Sequence, residues 1–206
     1  MQIIGPNKEL IVFDSTDLCI EHNKDDTMKK LRTVSVDIIV NSSKSKVWDV
    51  LFNRFGEVNT FNPHIEGSHF TKGSKGEIGC ERQCDLDSKN SIQEKIVAVR
   101  DDNSFDIEII QGGLPMMDTM NATLDVKEML PNQTIVTATI HFNTTPAFMA
   151  GILKGMMAKM FSKLLVGLKF YLETDEEVTK QNIKDIMKTY KIMDPHDTFS
   201  NRQIAA

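Results

Sequence analysis

Residues 147–171 read Ala147-Phe148-Met149-Ala150-Gly151-Ile152-Leu153-Lys154-Gly155-Met156-Met157-Ala158-Lys159-Met160-Phe161-Ser162-Lys163-Leu164-Leu165-Val166-Gly167-Leu168-Lys169-Phe170-Tyr171. Leu153, Met157, Met160, Leu164, Leu168 and Tyr171 recur every three or four residues and make one stripe. Lys154, Ser162, Lys163, Lys169 and Glu173 take the opposite arc. The spacing predicts a single long amphipathic helix whose apolar side needs a partner surface elsewhere in the chain.

That surface is predicted upstream. From Thr33 the period is two, with Val34, Val36, Ile38 and Val40 on one face and Thr33, Ser35 and Asp37 on the other, a half-buried strand. Six more strand-like segments follow at 67–71, 77–86, 91–100, 104–111, 119–127 and 134–143. The links between them, such as Asp87-Ser88-Lys89-Asn90, Asp101-Asp102-Asn103 and Pro131-Asn132-Gln133, are short and turn-like, which predicts antiparallel neighbours. Between the first two strands, Ser42 and Ser43 cap a helix in which Val47, Trp48, Leu51, Phe52 and Phe55 keep helical spacing before Gly56 stops it. Asn59 to His64 reads as a second short turn or helix. The expectation is an α+β fold: a curved antiparallel sheet around the long helix, with two short helices near its start and room between sheet and helix for an apolar ligand.

The flanks differ. Residues 1–32 read as an N-terminal extension in which 10–13 and 18–20 can pair as a hairpin; 33–173 form the domain; 174–206 supply a C-terminal helix and tail. Thr174 and Glu177 are read as the capping box of that helix, which carries Val178, Ile183, Ile186 and Met187 and stops before Asp194-Pro195.

Composition narrows the function classes. In 206 residues, 40% hydrophobic and 26% charged, one core is expected. A formal net charge of -5 argues against a general nucleic-acid binder, whose affinity rests on Lys and Arg displacing counterions. The start, Met1 to Glu9, lacks the basic and apolar regions of a secretory signal, and Lys154, Lys159 and Lys163 interrupt the longest apolar run. Three cysteines make no paired framework, and with the scattered histidines they show no metal spacing. The expectation is a cytoplasmic protein with no cofactor, no nucleic-acid partner and no membrane insertion.

Val47-Trp48, Phe55-Gly56, Phe61-Asn62-Pro63, Gly76 to Arg82, Gln93 to Ile96, Gly113-Leu114-Pro115 and Leu165 to Thr174, in this order, resemble the START-like (SRPBCC) superfamily, in particular its polyketide cyclase/dehydrase and lipid transport branch. Birch-pollen-allergen-like proteins and plant abscisic acid receptors are similar in fold. The resemblance covers roughly residues 33–173 and implies a helix-grip fold: seven antiparallel strands wrapped around the C-terminal helix, enclosing a cavity.

Several residues are candidates for that cavity. Period two places Arg82 among Ile78, Cys80, Cys84 and Leu86, and Glu94 among Ile92, Ile96 and Ala98, so both charges point inward. A buried charge is costly unless it is paired. Two readings are open: a structural Arg82–Glu94 pair, or an anchor for a polar ligand group. In abscisic acid receptors the residue that resembles Glu94 lines the ligand site through water. Phe61 and His64 sit where the family's pocket entrance falls. The link Gly112-Gly113-Leu114-Pro115-Met116-Met117 reads either as a tight turn or as a gate, and brings Leu114 and Met116 to the mouth. Met120, Met157, Met160 and Leu164 complete the expected lining; flexible thioethers suit irregular apolar shapes, although a methionine stripe is equally plain core. Trp48 is expected to be structural.

Three functions are compatible with this pattern. The first is binding or transport of a small hydrophobic molecule, a lipid, isoprenoid or polyketide. The second is a polyketide cyclase or dehydratase in which Glu94 or His64 moves a proton. The third is a protein-interaction module that docks a partner through residues 1–32 or 175–206.

Overall fold

The computed structural model describes residues 31–113 and 116–190. The expected N-terminal hairpin, Cys19, Leu114, Pro115, the tail after Tyr190 and most of the two proposed docking segments lie outside these residues.

Strand β1 (Arg32–Val40) leads into α1 (Lys44–Trp48), a π-helical turn (Asp49–Asn53) and a 3-10 helix (Phe55–Thr60). Ser43 caps α1 by accepting from the Lys46 amide. The sheet continues with β2 (Gly67–Lys72), β3 (Glu81–Asp85), β4 (Ser91–Arg100), β5 (Ser104–Gln111), β6 (Met117–Leu130) and β7 (Gln133–Thr144). Spatial order is β1-β7-β6-β5-β4-β3-β2, and every pairing is antiparallel. Two further helices, α2 (Ala150–Thr174) and α3 (Ile183–Thr189), close the described chain. This is the helix-grip architecture expected from the sequence.

Alternation decides which side of the sheet meets α2. On β7, Thr134, Val136, Ala138, Ile140, Phe142 and Thr144 are all buried while their neighbours are not. On α2 the buried residues include Leu153, Met157, Phe161, Leu165, Leu168 and Leu172. Each large apolar side chain taken from water contributes roughly 1.5–3 kcal/mol, so this seam and the facing strands dominate the stability. Trp48 stacks on Phe52 at 4.7 Å and meets the edge of Phe105 at 5.7 Å, which fastens the first helical segment to β5.

Four expectations are corrected. Ser162 is buried rather than solvent-facing, because its hydroxyl donates to the Ala158 carbonyl of the preceding turn and so needs no water. The predicted strand over 77–86 is regular strand only over Glu81–Asp85; Gly79 takes φ 86°, Gly79 and Cys80 bond Ile96 from outside the regular ladder, and Ile78 is exposed. Gly56 does not stop the first helix but lies inside the 3-10 segment, where Phe70 packs so close that a Cβ would sit 2.6 Å from its ring. Thr174 and Glu177 do not form the capping box of α3: the Thr174 hydroxyl bonds the Phe170 carbonyl and the Glu176 amide at the end of α2, Asp175 ends α2 in the left-handed region at φ 58°, and α3 begins only at Ile183. The reciprocal side-chain-to-amide pair lies instead between Thr179 and Asn182, at 2.8 and 3.3 Å. Val178, Ile183 and Ile186 still bury, packing on Val166. Among the described residues no helix is long and apolar enough to cross a membrane.

Candidate ligand-binding site

A largely enclosed cavity of about 100 Å³ remains between the sheet, the 55–65 turns and one side of α2. Its floor comes from alternate positions of β5 and β6, where Ile107, Ile109, Met120, Ala122 and Leu124 point the same way. Met160, Phe161 and Leu164 of α2 form the opposite wall. Leu51, Phe55, Val58 and Phe61 close one end, and Gly113 reaches the other.

The polar groups converge from β3, β4 and the turn after the 3-10 helix. Arg82 and Glu94 are register partners across the β3–β4 ladder, both lining the cavity. Arg82 Nε donates to Glu94 Oε2 at 2.6 Å, Nη1 donates to the Phe55 carbonyl at 2.6 Å, and the guanidinium carbon lies 3.8 Å from the Phe55 ring centre. Burial alone would depress the guanidinium, but Glu94, together with Cys84 and Cys80, offsets it and the Arg82 pKa stands above the usual arginine value. Cys84 Sγ, also on the lining, donates to Glu94 Oε2 at 3.5 Å. Burial pushes that thiol up to about 12. All bonds to the Glu94 carboxylate land on Oε2; Oε1 accepts none among the described residues.

His64 sits in a turn that the tertiary structure holds from several sides. Its amide donates to Asn62 Oδ1 at 3.0 Å, and the Asn62 amide in turn donates to the Val58 carbonyl at 2.9 Å. The Val178 amide bonds the Thr60 carbonyl at 2.9 Å. Gly167 lets α2 come against this turn: a Cβ there would lie 2.0 Å from the Phe61 carbonyl oxygen. His64 Nε2 is buried and has no hydrogen-bond partner among the described residues. Burial first, then Lys163 and Lys180, hold the imidazole below its ordinary pKa, so it stays neutral at pH 7.

Of the residues expected on the cavity, Phe61, His64, Arg82, Glu94, Met120, Met160 and Leu164 are brought together on its wall. Met157 is not: it is fully buried one helical turn away and packs into the solid core. Met116 is half exposed, at φ 67°, where the chain turns outward before β6. Ile107, Ile109, Ala122 and Leu124 were missed, although their parity with Phe105 and Met120 marks one sheet face. Cys80 and Cys84 are free and buried. Among the described residues no cluster of His, Cys, Asp or Glu could hold a metal.

A family model described as polyketide cyclase / dehydrase and lipid transport matches residues 32–173. The chain belongs to this family. No curated protein matches the sequence. Similar solved structures include a START superfamily protein from Mycobacterium smegmatis, at TM-score 0.57 and 12% identity over 68% of this chain and 97% of that one. Ginseng major latex-like protein 151 from Panax ginseng follows at TM-score 0.54 and 14% identity, covering 69% and 97%. A truncated norcoclaurine synthase from Thalictrum flavum gives TM-score 0.55 and 12% identity over 70% and 95%. At these identities the likeness establishes the fold.

Within this START-like chain the chemistry on offer is specific. Glu94 is committed to Arg82 and Cys84 through one oxygen, so the pair forms a neutral polar spot rather than a free acid. The neutral imidazole of His64 has one nitrogen unfilled. Apart from Asn62, the rest of the wall is mainly hydrocarbon, sulfur and aromatic carbon, which favours apolar matter.

Proposed function

We propose that this protein binds, and holds or carries, a small hydrophobic molecule of lipid, isoprenoid or polyketide type in the cavity between the sheet and α2. The observation that supports the reading is an apolar space of about 100 Å³ left open inside an otherwise packed core. Protein interiors are normally filled to crystal-like density, and an empty cavity forfeits dispersion contacts on every side. A guest that fills it restores those contacts. An aromatic ring burying roughly 200 Å² gains about 5 kcal/mol at ~25 cal/mol per Å², before the cost of association. Longer guests must extend beyond the cavity or displace Met120 and Met160, whose unbranched side chains repack readily.

The test is native mass spectrometry of the protein purified from its source, combined with binding of apolar fluorescent probes to the wild type and to Leu164→Trp. A co-purifying small molecule is expected, and the tryptophan, placed on the cavity wall, should weaken probe binding at least tenfold while the fold is kept. A protein that carries no extractable molecule, and whose probe binding ignores Leu164→Trp, removes the reading.

A further inference from the structure

The large apolar side chains that α2 leaves in solvent gather at its N-terminal end. Phe148, in a 3-10 turn (Ala147–Met149) that runs straight into α2, is 77% exposed, Ile152 67% and Met156 44%. Ile152, Met156, Lys159 and Lys163 follow one another at three or four residues and so share one face of the helix. Met116, half exposed, lies at the same end, where its carbonyl accepts from the Thr145 amide at 3.1 Å. Leu31 and Arg32, where β1 begins, share a surface hollow with Gly151 and Lys154. Apolar side chains gathered in the open in this way mark a surface that meets something.

Charge says what it meets. From Met129 to Leu172 the sequence holds four lysines and no Asp or Glu, although the whole chain carries a net charge of -5. Lys169 is spent on Glu173 and the Ile39 carbonyl. Lys154, Lys159 and Lys163 make no hydrogen bond or ion pair among the described residues. On the neighbouring strand, the Asp118 carboxylate accepts from the Thr145 hydroxyl at 2.7 Å. A second copy of this chain would bring the same lysines against these and be repelled.

We infer that this end of α2 docks the protein on an anionic phospholipid bilayer. Phe148, Ile152 and Met156 enter between the headgroups, and Lys154, Lys159 and Lys163 lay their stems along the apolar zone with the ammonium groups on the lipid phosphates and carboxylates. The docking is peripheral, since no helix among the described residues could cross the membrane. It stands apart from the cavity reading, although Met160, one turn beyond Met156, lines the cavity and would be brought close to lipid.

The experiment is co-sedimentation of the full chain with vesicles of phosphatidylcholine alone and of phosphatidylcholine with about 30% phosphatidylserine, where binding to the anionic vesicles should be at least about tenfold tighter. Phe148→Ser with Ile152→Ser, both exposed and so harmless to the core, should weaken that binding by about tenfold or more, while Ile78→Ser, equally exposed elsewhere, should leave it unchanged. Lys154→Gln with Lys159→Gln should cut the preference for phosphatidylserine at least about fivefold. Absence of binding to the anionic vesicles, equal binding to both kinds, or indifference to the Phe148 and Ile152 changes overturns the inference and leaves the cavity reading standing. So does a dimer in solution that the Phe148 and Ile152 changes dissolve without vesicle binding, which gives the face to a second copy. Carbodiimide cross-links from Lys154 or Lys159 to acids of residues 1–30, with no vesicle binding, likewise overturn it and give the face to that segment.

Discussion

Arg82 and Glu94 stand opposite one another on β3 and β4, joined by a 2.6 Å bond from Nε to Oε2, with only 8% and 13% of their side chains exposed. In such a setting the two charges are worth little as a pair and a great deal as single survivors, because desolvation has already been spent on both. Glu94→Ala should destabilise the protein by about 3–5 kcal/mol in urea unfolding, leaving the Arg82 charge stranded. Replacing both together, Arg82→Met with Glu94→Leu, should recover most of that loss; the Phe55 carbonyl, deprived of its donor, keeps the recovery incomplete. A loss below about 1 kcal/mol for Glu94→Ala would mean that the pair is wet and screened like a surface ion pair.

Gly167 marks the place where α2 comes against the Phe61–His64 turn. With the Phe61 oxygen 2.0 Å from where a Cβ would stand, Gly167→Ala must push the turn off the helix. The expected cost is about 1–3 kcal/mol, with weaker binding of any cavity guest. Gly151→Ala on the same helix meets nothing within 4 Å and should stabilise by up to about 1 kcal/mol through helix propensity. Thermal unfolding of the two variants side by side separates a steric effect from a helix-propensity effect.

His64 makes stability depend on pH in a known direction. Its folded pKa lies below the ordinary value of 6.5, so the unfolded chain takes up the proton first. Stability should therefore fall as pH drops from about 6.5 toward the folded pKa and level off below it, and the contribution is fully present above 6.5. Asp106 and Glu173, whose pKa values are depressed, add losses of the same sign at lower pH. Urea titrations between pH 5 and 7 should show a shallower slope for His64→Gln; an unchanged slope would show that His64 is solvated in the fold.

Cys84 should be chemically silent. Its thiol is pushed up to about 12 by burial, with Glu94 adding to the effect and Arg82 opposing it, so the thiolate that alkylating agents need is scarce at pH 8. Iodoacetamide should label Cys84 only after unfolding, as read by mass spectrometry of the peptide. Rapid labelling of the native protein at pH 8 would place the thiol in contact with solvent.

Much of the fold was legible because strand alternation and helix spacing are local. β4 and β5 have the bounds that the sequence predicts, 91–100 and 104–111, since each runs between clear turn residues; burial along β4 does not keep strict alternation, because the pairing with β5 shifts register at 93–94 and 96–98. Where neighbours compete with local preference, the reading failed. The segment 77–80 has strand-like residues, yet Gly76 lies so close to the Phe52 carbonyl that a Cβ would sit 2.0 Å away, and the chain must coil there before joining the sheet. The first helix winds into π and 3-10 turns rather than one regular helix, with Phe52 and Phe55 both directed at Phe105.

The order of residues was enough to specify a grip of strands around one helix, to send Arg82 and Glu94 inward, and to gather methionines and aromatics near a common space, because side-chain direction follows from a period of two or 3.6 along the chain. Three-dimensional packing alone decided that Met157 fills solid core while Met160 and Leu164 face the cavity, that Arg82 spends its donors on Glu94 and Phe55, and that one nitrogen of His64 is sealed away unpaired. Those outcomes depend on distances between segments far apart in the chain, such as Gly167 against Phe61, and no local pattern encodes a distance.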